Sequence, residues 1–160
     1  MWNIPEREFL LNPPRGFVFR QMHAEAQLLP DGRIAVSEKW FRHPPEIREF
    51  IVEHERGHIW EKRVLWGEDS DNTFKILDSE TFGSMKDGAP TFIVSTFNLS
   101  EAMAESYAVY MTTPDELKRD YPRAFYFIEA MLQGASVDDA IELSSDYSIS
   151  TLDAYWGSVP

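Results

Sequence analysis

The chain has 160 residues, of which 43% are hydrophobic and 26% charged, with no cysteine and a formal net charge of −12. A chain of this length is expected to form one domain over 1–160 and to bury roughly two-thirds of its unfolded surface without covalent staples. Disulfides, thiolate metal sites and a cysteine nucleophile are excluded outright, and the negative charge sets nucleic acid and anionic membrane surfaces aside as partners.

The opening residues, Met1-Trp2-Asn3-Ile4-Pro5-Glu6-Arg7-Glu8, lack the charged-then-apolar layout of a signal peptide. No apolar run approaches the ~20 residues of a spanning helix. The expectation is therefore a cytoplasmic protein, or one delivered as part of a larger polypeptide. Pro5, Pro13 and Pro14 make 1–16 read as an extended lead-in. Phe17-Val18-Phe19-Arg20 reads as a short strand, Leu29-Pro30-Asp31-Gly32 as a turn, and 33–41 as a second strand.

His43-Pro44-Pro45-Glu46 has the form of a helix start, and the pattern stays helical from Glu46 to about Leu65. Ile47, Phe50 and Ile51 recur on one face, and the next two positions of that face are His54 and His58. Residues 67–73 form an acidic polar loop, and Phe92-Ile93-Val94 is a candidate strand. A second helix is expected from about Ser100 to Met111, capped by Asn98 or Ser100. Further helices are expected over about 114–120, 123–133 and 136–144. The sum is an α+β fold: a small N-terminal sheet, a central helix and a helical C-terminal half.

The chemistry concentrates in His54-Glu55-Arg56-Gly57-His58. Residues four apart on a helix are neighbours, so both imidazoles can reach one ion, and zinc accepts imidazole nitrogen at about 2.0–2.1 Å. Three protein ligands and a water make a catalytic site, with Glu55 beside the water as base. The competing interpretation is a pair of half-exposed histidines on an ordinary helix. Gly57 weighs against it: a mid-helix glycine costs about 1 kcal/mol relative to alanine unless another chain segment must approach closely.

Two histidines need a third ligand, and the second helix offers Glu101 and Glu105 in an otherwise apolar run. In the favoured order Glu101 binds the metal and Glu105 accepts the free ring N–H of a ligand histidine, with Ala102, Ala104 and Ala108 allowing close packing. The reverse order, with Glu105 on the metal, stays open on spacing alone. So does a capping box from Asn98 to Glu101 with Glu105 on the rim. The partial calcium-loop spacing of Asp69, Ser70 and Asp71 fails because Phe74 stands where glycine is needed.

The segment 54–58, the run from Glu101 through Glu105 to Tyr110, and the stretch Leu117 to Ile128 together resemble the catalytic domain of anthrax lethal factor and its relatives, among them the bacterial Pro-Pro endopeptidases. The resemblance covers about 30–133, and the gap from His58 to Glu101 is of the size the family uses. It implies a zincin-like fold, a zinc metallopeptidase acting on peptides or proteins, and the first glutamate of the pair, Glu101, as zinc ligand. Relatives occur as toxin- and phage-associated domains, so the alternative implied is a non-catalytic module that retains zinc. The family places a tyrosine two helical turns before the ligand glutamate. The matching position here is near Val94, and no tyrosine lies between His58 and Glu101. Oxyanion stabilisation then falls to the zinc, to Ser95 or Asn98, or to a tyrosine from elsewhere. Cleaved peptides are expected to pair with the edge of strand 33–41.

Overall fold

The computed structural model describes residues 1–67, 71–83 and 99–151. The candidate strand Phe92–Val94, the cap Asn98, and the family-tyrosine position near Val94 with its candidate substitute Ser95 lie outside the described residues. The fold is mixed α+β: a three-stranded sheet near the N-terminus and, for the rest, mostly helix. Among the described residues no helix is long and apolar enough to cross a membrane.

The lead-in is not wholly extended. Helix α1 (Glu6–Leu11) follows Pro5 and buries Phe9 completely. Proline before the first turn leaves an already unpaired N–H position and presets the backbone, so it starts this helix rather than preventing it. Strand β1 is Phe17–Phe19, β2 is Ala26–Leu28 and β3 is Ile34–Val36. β3 is central, parallel to β1 and antiparallel to β2. The expected strand over 33–41 is thus cut short. Ser37 accepts the backbone N–H of Lys39 and caps helix α2 (Glu38–Phe41), while its hydroxyl donates to the Ala24 carbonyl. The turn before β3 closes through Leu29 N–H to the Arg33 carbonyl at 2.8 Å, with Gly32 at φ +83°, a conformation that favours glycine.

Helix α3 (Pro45–Leu65) runs 21 residues, about 31 Å at 1.5 Å per residue. It is anchored at its start by Arg48, whose guanidinium donates to the carbonyls of His43, Trp2 and Ile4 and lies over the Trp40 ring. α3 joins two cores. Val52 packs with Phe9, Phe17, Ile34, Val36 and Trp40 against the sheet. Val64 and Leu65, at the other end, pack into a helical core that includes Met103, Leu117, Phe127 and Ile128.

That second core is built from α4 (Thr73–Asp78), α5 (Leu99–Thr112), α6 (Pro114–Asp120), α7 (Pro122–Leu132) and α8 (Val137–Ser145). Pro114 and Pro122 sit at first-turn positions, and the Ser136 side chain caps α8 by accepting from Asp139 N–H. The last three helices start within one or two residues of the positions the apolar spacing implies.

α5 packs along α3, and the close approach centres on Gly57. A Cβ at that position would lie 2.6 Å from the Ala104 carbonyl oxygen and 2.7 Å from its Cα. Ala104 and Ala108, four apart on one side of α5, are buried, and Ala102 is buried in the helical core. The mid-helix glycine is explained by contact: backbone meets backbone there, and no side chain fits. The buried face of α3 is therefore Glu53, Gly57, Glu61, Val64 and Leu65 with Val52. The apolar stripe inferred from sequence lies elsewhere on the helix. Ile47 is 41% exposed, and Phe50 and Ile51 are half-buried, packing against the cores while lining an open cleft.

Candidate metal centre

α3 carries His54, Glu55 and His58, and the first turn of α5 carries Glu101. Because α5 reaches α3 at Gly57, between the two histidines, the Glu101 carboxylate arrives over both rings. Its two oxygens divide between them: His54 Nε2 to Glu101 Oε2 is 3.1 Å, and His58 Nε2 to Glu101 Oε1 is 3.2 Å. The rings stand nearly perpendicular, with centroids 4.9 Å apart. One ligand atom from each of the three residues falls within 4.8 Å of the others.

Such a donor set fits a small divalent cation. Tetrahedral zinc with bonds of 2.0–2.2 Å separates its ligand atoms by about 3.3 Å; here each imidazole lies 3.1–3.2 Å from a different Glu101 oxygen, and one donor atom from each residue falls within 4.8 Å of the others. Two neutral nitrogen donors and one carboxylate also match the ligand chemistry of catalytic zinc sites, which keep one position open. The histidine side chains are 22% and 17% exposed and Glu101 is 41% exposed, so the cluster is partly open to solvent.

Glu55 does not join this cluster. Its Oε2 accepts the backbone N–H of Leu28 at 2.8 Å. The sheet register explains why that N–H is available. Ser37 N–H donates to the Glu25 carbonyl and Leu29 N–H to the Arg33 carbonyl, so residues 25 and 29 of this segment pair with β3. In an antiparallel ladder the alternate residues point their polar backbone outward. Ala26 and Leu28 therefore present theirs to the other side of β2, which faces α3 and carries no strand among the described residues. A cleft of about 230 Å³ lies in the same place, lined by Glu25, Ala26, Phe50, Ile51, His54 and Glu55. Glu25 also pairs with His43, a histidine that spacing alone left without a partner.

Behind His58, away from Glu101, lies Glu61, which is buried at 3% exposure. Its Oε1 accepts the Ser100 hydroxyl at 2.6 Å, and the same hydroxyl oxygen lies 3.3 Å from His58 Nδ1. The hydrogen bonding around Glu61 raises the His58 pKa above its ordinary value, helped by the charges of Glu101 and Glu55 and opposed by burial. A metal ion and a proton thus compete for this imidazole.

Glu105 lies one turn beyond Glu101 and is half-buried. Besides Glu101, a further carboxylate lies near the His58 ring: Glu61, 3.9 Å from Nδ1, which the sequence reading passed over. Its signal was there: Glu61 follows His58 by three positions and Gly57 by four, on the face that meets α5. Ser100, expected as a cap, lies within α5 and turns its hydroxyl to this pair. On the other flank Glu53, also buried, pairs with Arg56, whose guanidinium lies over the Trp2 ring. Tyr107 of α5 stacks on Trp60 of α3, and burial raises its pKa.

Comparison with known proteins found no matching family model, no matching curated protein and no matching solved structure.

Proposed function

We propose that the chain is a zinc-dependent peptidase of the zincin type, with His54, His58 and Glu101 as ligands and Glu55 as the general base. The observation that carries this reading is the meeting of the two Nε2 atoms with one carboxylate, 3.1 and 3.2 Å away, beside a cleft that Glu55 also lines. A bound zinc ion would polarise a peptide carbonyl and make a water molecule more acidic. Glu55 takes the proton of the attacking water and hands it to the leaving amine. The apolar walls Ala26, Phe50 and Ile51 keep one side of the reaction partly shielded from solvent.

Substrate main chain has a different strand to pair with from the one the sequence suggested. β3 is bonded on both sides, so its edge is closed; among the described residues β2 has a strand partner on one side only, and its other side faces α3. A peptide added to β2 takes up the outward backbone groups of Ala26 and Leu28, and in doing so competes with Glu55 for the Leu28 N–H. Glu55 is thereby released towards the centre when substrate is in place.

The test is cleavage of a randomised peptide library by the zinc-loaded full chain, read by mass spectrometry. A cleavage consensus that disappears with chelator is the expected result. A chain that holds zinc and cleaves nothing under these conditions would instead be a zinc-retaining binding module.

A further inference from the structure

The three residues at the metal centre leave one feature of its surroundings unexplained. Glu61 is a carboxylate removed from water, with Oε2 unpartnered among the described residues, while Oε1 accepts the Ser100 hydroxyl and lies 3.9 Å from His58 Nδ1. Burying such a group is strongly unfavourable unless its charge is used. Nothing in the packing of α3 on α5 requires a carboxylate there; Val64 and Leu65, one turn on, serve the same face as hydrocarbons.

The direction of the hydrogen bonds shows what the group does. An ionised carboxylate only accepts, and a serine hydroxyl has one proton to give. At 2.6 Å the Ser100 proton is committed to Glu61 Oε1. The Ser100 oxygen can then serve His58 only as an acceptor, so the Nδ1 atom 3.3 Å away must carry a hydrogen. With Nδ1 protonated, the nitrogen left to coordinate is Nε2, the atom 3.2 Å from Glu101.

We infer that Glu61, acting through the Ser100 hydroxyl, is the positioning residue that fixes the His58 tautomer and ring orientation so that Nε2 faces the metal. The inference rests on the metal reading above and adds to it a second carboxylate. One turn of α5 supplies both parts: Ser100 sets the outer side of the His58 ring and Glu101 meets its inner side. Glu61 itself comes from α3, three residues after His58, so the relay also ties the two helices together at the centre. Outer partners of this kind typically contribute 10–100-fold to metal affinity.

The experiment compares the full chain with Ser100→Ala and Glu61→Gln, each checked for fold by near-ultraviolet circular dichroism. Zinc affinity is measured by competition with a chromophoric chelator. The His58 ring nitrogens are read by NMR of protein labelled with ¹⁵N-histidine, before and after zinc, with His54 as internal reference. The expected result is a protonated Nδ1 at His58 in the parent protein even without metal. Ser100→Ala should lose that single tautomer and bind zinc about 10–100-fold more weakly. Glu61→Gln, which keeps the shape and removes the charge, should weaken zinc binding in the same sense. Parent-level zinc affinity in both variants would overturn the inference, as would an unprotonated His58 Nδ1 in the parent protein. A parent protein that shows the protonated Nδ1 yet takes up no zinc would leave the relay standing and remove the metal reading instead.

Discussion

Glu55→Gln is expected to hold zinc as the parent protein does and to cleave its best peptide about 10²–10⁴-fold more slowly, the usual contribution of a positioned general base. The geometry separates the two functions. Glu55 is on the same turn as His54, but its carboxylate points to the Leu28 N–H and is not among the three groups that converge. Glutamine keeps the side-chain length and can still accept from Leu28 through its carbonyl oxygen, so strand β2 and helix α3 should stay in register. What it cannot do is take a proton from water. Cleavage rate and zinc content, measured on the same preparation, decide the matter. A variant that cleaves at the parental rate would show that another group is the base, and one that loses zinc would place Glu55 among the ligands.

Gly57→Ala is expected to destabilise the protein, against the helix propensity of the two residues. In an isolated helix this exchange gains about 1 kcal/mol. Here the added methyl would sit 2.6 Å from a carbonyl oxygen and 2.7 Å from a Cα, both in the backbone of Ala104. Backbone in a packed helix cannot rotate away as a side-chain end can, so α3 and α5 must separate. Overpacking typically costs 1–3 kcal/mol, and a clash with main chain lies at the upper end or beyond.

A net loss of about 2 kcal/mol should lower Tm by roughly 4–8 °C for a chain of this size. Zinc affinity should fall as well, because the same contact brings Glu101 over His54 and His58. Trimming the partner with Ala104→Gly should restore neither property, since the atoms in the way are not those of the Ala104 side chain. An unchanged or raised Tm in Gly57→Ala would refute the claim that this contact sets the helix separation.

These two residues also show what the sequence made legible. His54, His58 and Glu101 could be found because helical spacing brings positions four apart together, and because a carboxylate in an apolar helix needs a partner. The glycine between the histidines announced a close approach. The direction of α3 was harder to read. Counting apolar residues put Ile47, Phe50 and Ile51 inside, whereas Ile47 is exposed, Phe50 and Ile51 are half-buried beside an open cleft, and the buried face carries Glu53, Gly57 and Glu61. A buried face made of a glycine and carboxylates has no hydrophobic signature.

The same limit hid Glu61: its role depends on Ser100, far away in sequence, and no local pattern links the two. In the sheet, β2 went unread because Ala26-Gln27-Leu28 contains no β-branched or aromatic residue and owes its form to β3 beside it. β3 was read too long because alternation continues past Ser37, where the side-chain cap turns the chain into α2.

The central claim is that three side chains of this protein hold one metal ion, and metal content tests it most directly. The full chain, purified, exposed to zinc and freed of excess, should contain about one zinc per molecule by mass spectrometry, and His54→Ala and Glu101→Ala should contain essentially none. A folded parent protein that retains no zinc, or a His54→Ala variant that retains as much as the parent, would contradict the account.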